Sequence, residues 1–238
     1  MTNGSILYSR EWPITDKIHI VIPTVGDIID NEDTYYTLVS MLTAMPIDYM
    51  VQLDDIGIDF TGINDYELFM ILFPAIQALD TSLVFGDLDL SKFERAVHID
   101  TQQQVLYDEE NDIVIDRVVH TKIADALRKL HHLEKDERKP GNDEARKYML
   151  ERARKKMRRK KKRRQESQLE QLIVAMVNTE QFKYGYEGTR ELTIYQFNES
   201  VRQIQHKVDY DNRMHGIYAG TVDPKKISQD ELNWLIHK

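Results

Sequence analysis

The chain has 238 residues and not one of them is cysteine. That excludes a disulfide framework, a thiol nucleophile and any zinc or iron–sulfur site held by thiolates. No apolar run reaches the roughly eighteen residues that a membrane-spanning helix requires. Met1 to Trp12 carries no apolar block of the signal-peptide kind, so the expectation is a soluble intracellular protein with no membrane contact. Catalytic signatures are also missing. There is no HExxH or spaced histidine pair, no phosphate-binding or dinucleotide-binding glycine loop, no GxSxG or SxxK, and no kinase signature set. The sequence has instead 30% charged and 41% apolar residues, a composition that can bury a core and is far from that of a disordered chain.

The charge is segregated. Residues 1–100 hold seventeen acidic and four basic side chains, and residues 146–164 hold thirteen basic ones against the single acid Glu151. The formal net charge of −8 therefore combines a block of +12 with a remainder of −20. Such a block requires salt, a polyanion or an acidic protein surface beside it. The acidic first hundred residues can supply that surface in the same chain or in a second copy. Within the block, Arg154, Lys155, Lys156, Arg158, Arg159, Lys160, Lys161, Lys162, Arg163 and Arg164 form a candidate contact for a partner or polyanion. The run is nearly free of the Gln, Asn and aromatic side chains that could read bases, so nucleic acid bound there is expected to be held through its phosphates irrespective of sequence.

Other constellations have simpler explanations. Asp54, Asp55 and Asp59, and Asp87 with Asp89, read as helix caps and turns. His131 and His132 are adjacent and would point about 100° apart on a helix, a poor arrangement for metal. Lys183–Gly188 is a Tyr- and Gly-rich connection whose Tyr184 and Tyr186 could stack on a partner. No catalytic residue, cofactor or metal ligand is assigned, and the expected protein is not an enzyme.

Periodicity and punctuation predict a mainly α protein with a small β element (α+β), built from amphipathic helices and one long basic helix. The expected parts are an acidic α+β stretch at 1–116, a helical segment at 117–178 and a helical C-terminal part at 179–238. Residues 17–22 alternate as a strand ended by Pro23. Thr24 should cap a helix to Ile29; Asp33 or Thr34 should cap a second, to Met45, burying Tyr36, Leu38, Val39 and Leu42. Pro46 suits a first helical turn, and Asn64 or Asp65 a cap for a helix that Pro74 kinks or ends. Residues 82–116 look extended, with a hairpin joining Val105–Tyr107 to Ile113–Ile115. A helix with Val118, Val119, Ile123, Ala124, Leu127 and Leu130 should reach Glu134–Lys139. Pro140-Gly141 then breaks the chain before a long helix at 143–177. Thr189 or Thr193 should cap a helix whose Ile194, Phe197, Val201, Ile204 and Val208 step by three and four, forming either core or a seam for a partner helix. Ser228 should cap a last helix pinned by Trp234.

Two groups of segments carry a resemblance. The first is Thr24-Val25-Gly26-Asp27-Ile28, Tyr35-Tyr36 and Val51 to Phe60. The second is Ile194 to Val201, Gly216 to Thr221 and Glu231-Leu232-Asn233-Trp234. Together they resemble the tail and tail-assembly (chaperone-like) proteins of tailed bacteriophages that infect Gram-positive bacteria. The basic run departs from that pattern. The resemblance implies a non-enzymatic role in tail morphogenesis and partners among other phage tail proteins, the tape-measure protein included. It also implies self-association and a place in the cytoplasm of the infected host or in the virion. Sequence-independent nucleic-acid binding through residues 154–164 is the alternative.

Overall fold

A short hairpin begins the chain. Strands β1 (Glu11–Pro13) and β2 (His19–Val21) pair antiparallel with Trp12 opposite Ile20. The sequence signalled β2 but not its partner, because β1 is too short and too polar to show alternation. The computed structural model describes residues 6–98, 102–160 and 167–235. Helix α1 (Val25–Ile29) starts with a capping box in which Thr24 and Asp27 satisfy each other's backbone amides. Helix α2 spans Glu32–Leu42; it is preceded by Asn31 and not by Asp33 or Thr34, and it buries Tyr35 in place of Tyr36. Pro46 opens a 3-10 turn (Pro46–Tyr49) that leads into α3 (Met50–Asp55).

Helix α4 (Asp65–Gln77) is capped by Asn64 and Glu67 and runs through Pro74. A proline at this place leaves the carbonyl four residues back without its helical donor. That carbonyl belongs to Met70, and it accepts a hydrogen bond from Arg95 Nη2 at 2.6 Å. The helix continues because a side chain from a later strand supplies the missing donor. Leu83–Phe85, expected to be extended, lie in a helical turn, α5 (Ser82–Phe85), begun where Asp80 accepts from the Ser82 amide and ended at Gly86 with φ +60°.

Strands β3 (Glu94–Val97), β4 (Gln104–Asp108) and β5 (Ile113–Ile115) form an antiparallel meander in the order β3-β4-β5, including the expected hairpin. Tyr66 from α4 shares its hydroxyl proton between the carbonyls of Gln104 and Ile115, 3.0 Å from each. Helix α6 (Arg117–His131) is capped by Asp116 and stops at His132, whose backbone is left-handed (φ 52°), short of the expected Glu134–Lys139; Val118 is exposed rather than buried.

The long helix expected at 143–177 appears as α7 (Asp143–Lys160) and α8 (Gln168–Val177), the latter capped by Ser167; residues 161–166 lie outside the described ones. Helix α9 (Tyr186–Glu191) falls where a connection was expected. Helix α10 (Ile194–Tyr218) begins with a Thr193–Gln196 capping box. Ser228 and Glu231 exchange hydrogen bonds, but no helix follows among the described residues, and Trp234 is 51% exposed. The chain is thus mainly helical with two small antiparallel sheets.

The main hydrophobic core draws on the whole length, from Ile20 and Phe73 through Leu127 and Ile173 to Ile194 and Phe197. A second, smaller cluster adjoins it across Leu72: Ala44, Ile47, Leu53, Phe60 and Leu68, closed over by Leu150.

Candidate functional site

Helix α7 has two faces, as the 3.6-residue period requires. Ala145, Arg146, Met149, Leu150, Ala153, Arg154 and Met157 recur at spacings of three and four and are buried or half-buried, while Lys147, Tyr148, Glu151, Arg152, Lys155, Lys156, Arg158 and Arg159 are exposed. The inner face meets α3. Leu150 closes the second cluster with Met149 beside it. Arg154 Nη2 lies 2.7 Å from both Asp54 Oδ2 and Asp55 Oδ1, and Arg146 Nη1 lies 3.0 Å from Asp59 Oδ2. The Thr61 amide and hydroxyl, with Arg146 adding to them, hold the Asp59 carboxyl below the usual carboxylate range. Asp59 makes the expected turn, accepting from Thr61, whereas Asp54 and Asp55 end α3 without capping it; all three form the acidic surface for the start of the basic block. The contact lies within one chain and takes Arg146 and Arg154.

No ion pair joins Lys155, Lys156, Arg158 or Arg159 to another described residue. These four keep the outer face strongly positive. Lys160 ends the helix, and Lys161, Lys162, Arg163 and Arg164 lie outside the described residues.

The seam of α10 divides in two. Ile194 and Phe197 are fully buried and Val201 nearly so. These three are core, and no partner helix can reach them in this conformation. Ile204 packs at the edge of the core and Val208 is 38% exposed. Beside Ile204 lies an open groove of about 770 Å³ lined by Leu7, Tyr8, Phe182, Tyr184, Tyr195 and Gln203, among others. Its rim is aromatic, with Tyr8 82% and Tyr184 46% exposed. Gln196 Nε2 donates to the Leu7 carbonyl at 2.8 Å and so fixes the groove's N-terminal wall to α10. Sequence periodicity found the helix; the groove escaped it because Tyr8 and Tyr184 are far apart in the chain. Beyond the core, the chain after α10 folds back along it. Gln203 Nε2 donates to the Trp234 carbonyl, and His206 Nε2 lies 2.7 Å from the Asn233 carbonyl.

Histidines cluster inside the fold without forming a metal site; among the described residues no group of three or more potential ligands is gathered. His131 Nε2 is 2.8 Å from the Tyr35 hydroxyl, with Tyr36 against its ring. Burial, with a smaller contribution from His132, lowers its pKa to about 4. His120 stacks on Phe69 at 4.3 Å between ring centroids. A second polar basin, of about 550 Å³, lies between the two sheets and includes Lys17, His19, Asp89 and Lys92. Its lysines are already engaged: Lys17 Nζ donates to the carbonyls of Asn111 and Asp112, and Lys92 Nζ lies 2.6 Å from Glu110 Oε2.

No described helix is long and apolar enough to cross a membrane. The C-terminal part, from the end of α7 through α10 to the returning tail, is similar to a domain of phage derivation. The family is described as the YomV second domain, of Bacillus phage SPbeta-like origin, and its model matches residues 159–237. This match suggests a phage protein and hence a phage-infected host. Neither the curated proteins nor the solved structures contain a match.

Proposed function

We propose that the protein is a non-enzymatic morphogenesis factor of a tailed phage, acting by protein–protein contacts during tail assembly in the cytoplasm of an infected Gram-positive host. One observation carries the reading: the aromatic-rimmed groove on α10, within the phage-derived segment for the most part, next to the uncovered end of an amphipathic seam. An exposed apolar strip bordered by glutamines suits the apolar face of a client helix. The test is co-expression of the chain with each tail protein of its own phage, the tape-measure protein included, followed by size-exclusion chromatography after nuclease treatment. One client should co-elute, and Ile204→Asp should abolish co-elution while the free chain keeps its melting profile. Absence of co-elution with every tail protein would remove this reading.

A second reading rests on the outer face of α7, whose Lys155, Lys156, Arg158 and Arg159 are exposed. These would hold a phosphate backbone irrespective of sequence. Its signature is salt dependence: four phosphate contacts predict a loss of about 10² in affinity between 50 and 200 mM salt. A flat salt response would exclude it.

A further inference from the structure

We infer that α7 is a releasable strap over the apolar seat of Ala44, Ile47, Leu53, Phe60 and Leu68, and that a nucleic-acid phosphate backbone captured on its outer face lifts it from that seat. The inference rests on the second reading above.

The attachment is light. Leu150 is the one side chain of α7 among the buried members of the cluster. The other anchors are half-buried Met149 and the ion pairs of Arg146 and Arg154, whose side chains and acidic partners are between about a quarter and a half exposed. Pairs that exposed are individually weak and are screened by salt. On its N-terminal side α7 hangs on residues 133–142, which form no helix or strand and include Pro140-Gly141. A helix held in this way can leave while the main core stays closed, since local openings follow the least-buried units.

Only a ligand that prefers one state can shift the equilibrium. A phosphate chain has that preference here. On the docked helix it meets the outer cations alone, with Asp54, Asp55 and Asp59 close behind them. Undocking frees Arg146 and Arg154 for further phosphate contacts and takes the helix away from the carboxylates. The two faces also differ in kind. The inner face recognises protein, with Leu150 and Met149 set between arginines. From residue 152 onward the outer face presents Arg152, Lys155, Lys156, Arg158 and Arg159 with no apolar side chain among them, which suits phosphates rather than a protein surface. Release would uncover an apolar seat rimmed by aspartates, so nucleic acid would control whether that surface is offered.

Hydrogen exchange of the full chain, with and without a random-sequence 20-base-pair DNA duplex, tests this beside a fluorescence-anisotropy titration of the same duplex. Saturating duplex should raise exchange in α3 and in residues 58–60 by about tenfold, with α6 amides unchanged as a control for the core. The variant Asp54→Asn/Asp55→Asn/Asp59→Asn should show the same opening without duplex, and Arg146→Gln/Arg154→Gln should repeat it should the first variant misfold. Lys155→Gln/Lys156→Gln/Arg158→Gln/Arg159→Gln should stay closed with duplex present. Binding without any rise in exchange would overturn the strap and leave the nucleic-acid reading standing. Absence of binding would overturn both. Opening by poly-glutamate but not by duplex would overturn the phosphate assignment in favour of an acidic protein, and wild-type exchange in both docking variants would overturn the strap itself.

Discussion

His120 is buried with neither ring nitrogen hydrogen-bonded to a described residue. Burial lowers its pKa to about 4; Asp65 opposes that and Arg128 reinforces it, while the Leu42 backbone favours the charged form weakly. In the unfolded chain it would titrate near 6.5. The unfolded state therefore binds the extra proton between those values, so the stability held above about pH 6.5 is lost as pH falls towards 4. For this one group the loss is about 3 kcal/mol. His120→Leu removes the titration and the two unpaired nitrogens, so its urea midpoint should change less between pH 7 and 4.5 than the wild type's. Equal slopes would show that His120 is not the source of acid lability. Arg95 is the second residue with a measurable role. Its hydrogen bond to the Met70 carbonyl replaces the donor that Pro74 lacks, so Arg95→Met should cost about 1–3 kcal/mol for a stranded acceptor. In the Pro74→Ala background the alanine amide can serve Met70, and the cost of Arg95→Met should shrink. A double-mutant cycle with no coupling would refute the compensation.

At the scale of elements, α7 is the lightly held piece. Leu150→Ala removes its apolar anchor and should lower stability by about 2 kcal/mol, with increased proteolysis of α7 ahead of global unfolding. A loss of less than a few tenths would mean that the ion pairs alone hold the helix. How far such elements were legible depended on whether their signal was local. N-cap candidates, Thr24 alone and Asn64 and Thr193 each as one of two, signalled α1, α4 and α10, because a cap is written within four residues. Pro74 signals a kink or an end, since its rescue by Arg95 lies 21 positions away. The basic run was legible as a block. Its division into a docked and an outer face was not, since that depends on Asp54, Asp55 and Asp59, about a hundred positions earlier. The α10 seam gave its period but not the point where the core ends, which is set by neighbours such as Phe182 and Leu130. The groove at Tyr8 and Tyr184 was invisible for the same reason.

On the scale of the whole molecule, the segment similar to the phage-derived domain does not close its own core. The Val25 amide donates to the Leu192 carbonyl and the Ile194 amide to that of Pro23, both at 2.9 Å, so the start of α10 is stitched to the N-terminal part. Asn198 Nδ2 reaches the Leu130 carbonyl at the end of α6. Gly26 matters at the same junction: a Cβ there would lie 3.2 Å from the Arg190 carbonyl, so α1 and α9 pack backbone to backbone. Ile194, Tyr195 and Phe197 are buried among residues such as Ile20, Ile28 and Leu127. Cut away, a fragment of residues 159–238 would expose those side chains, and α10 alone would be a marginal helix in water, because most helical stability in proteins comes from packing. The fragment should therefore show no cooperative thermal transition, whereas mixing it with a fragment of residues 1–158 should restore one, and Gly26→Val should weaken that reassembly. A sharp transition from the isolated fragment would mean that the matched segment is a domain in its own right, and that the shared core joins two stable units instead of completing one.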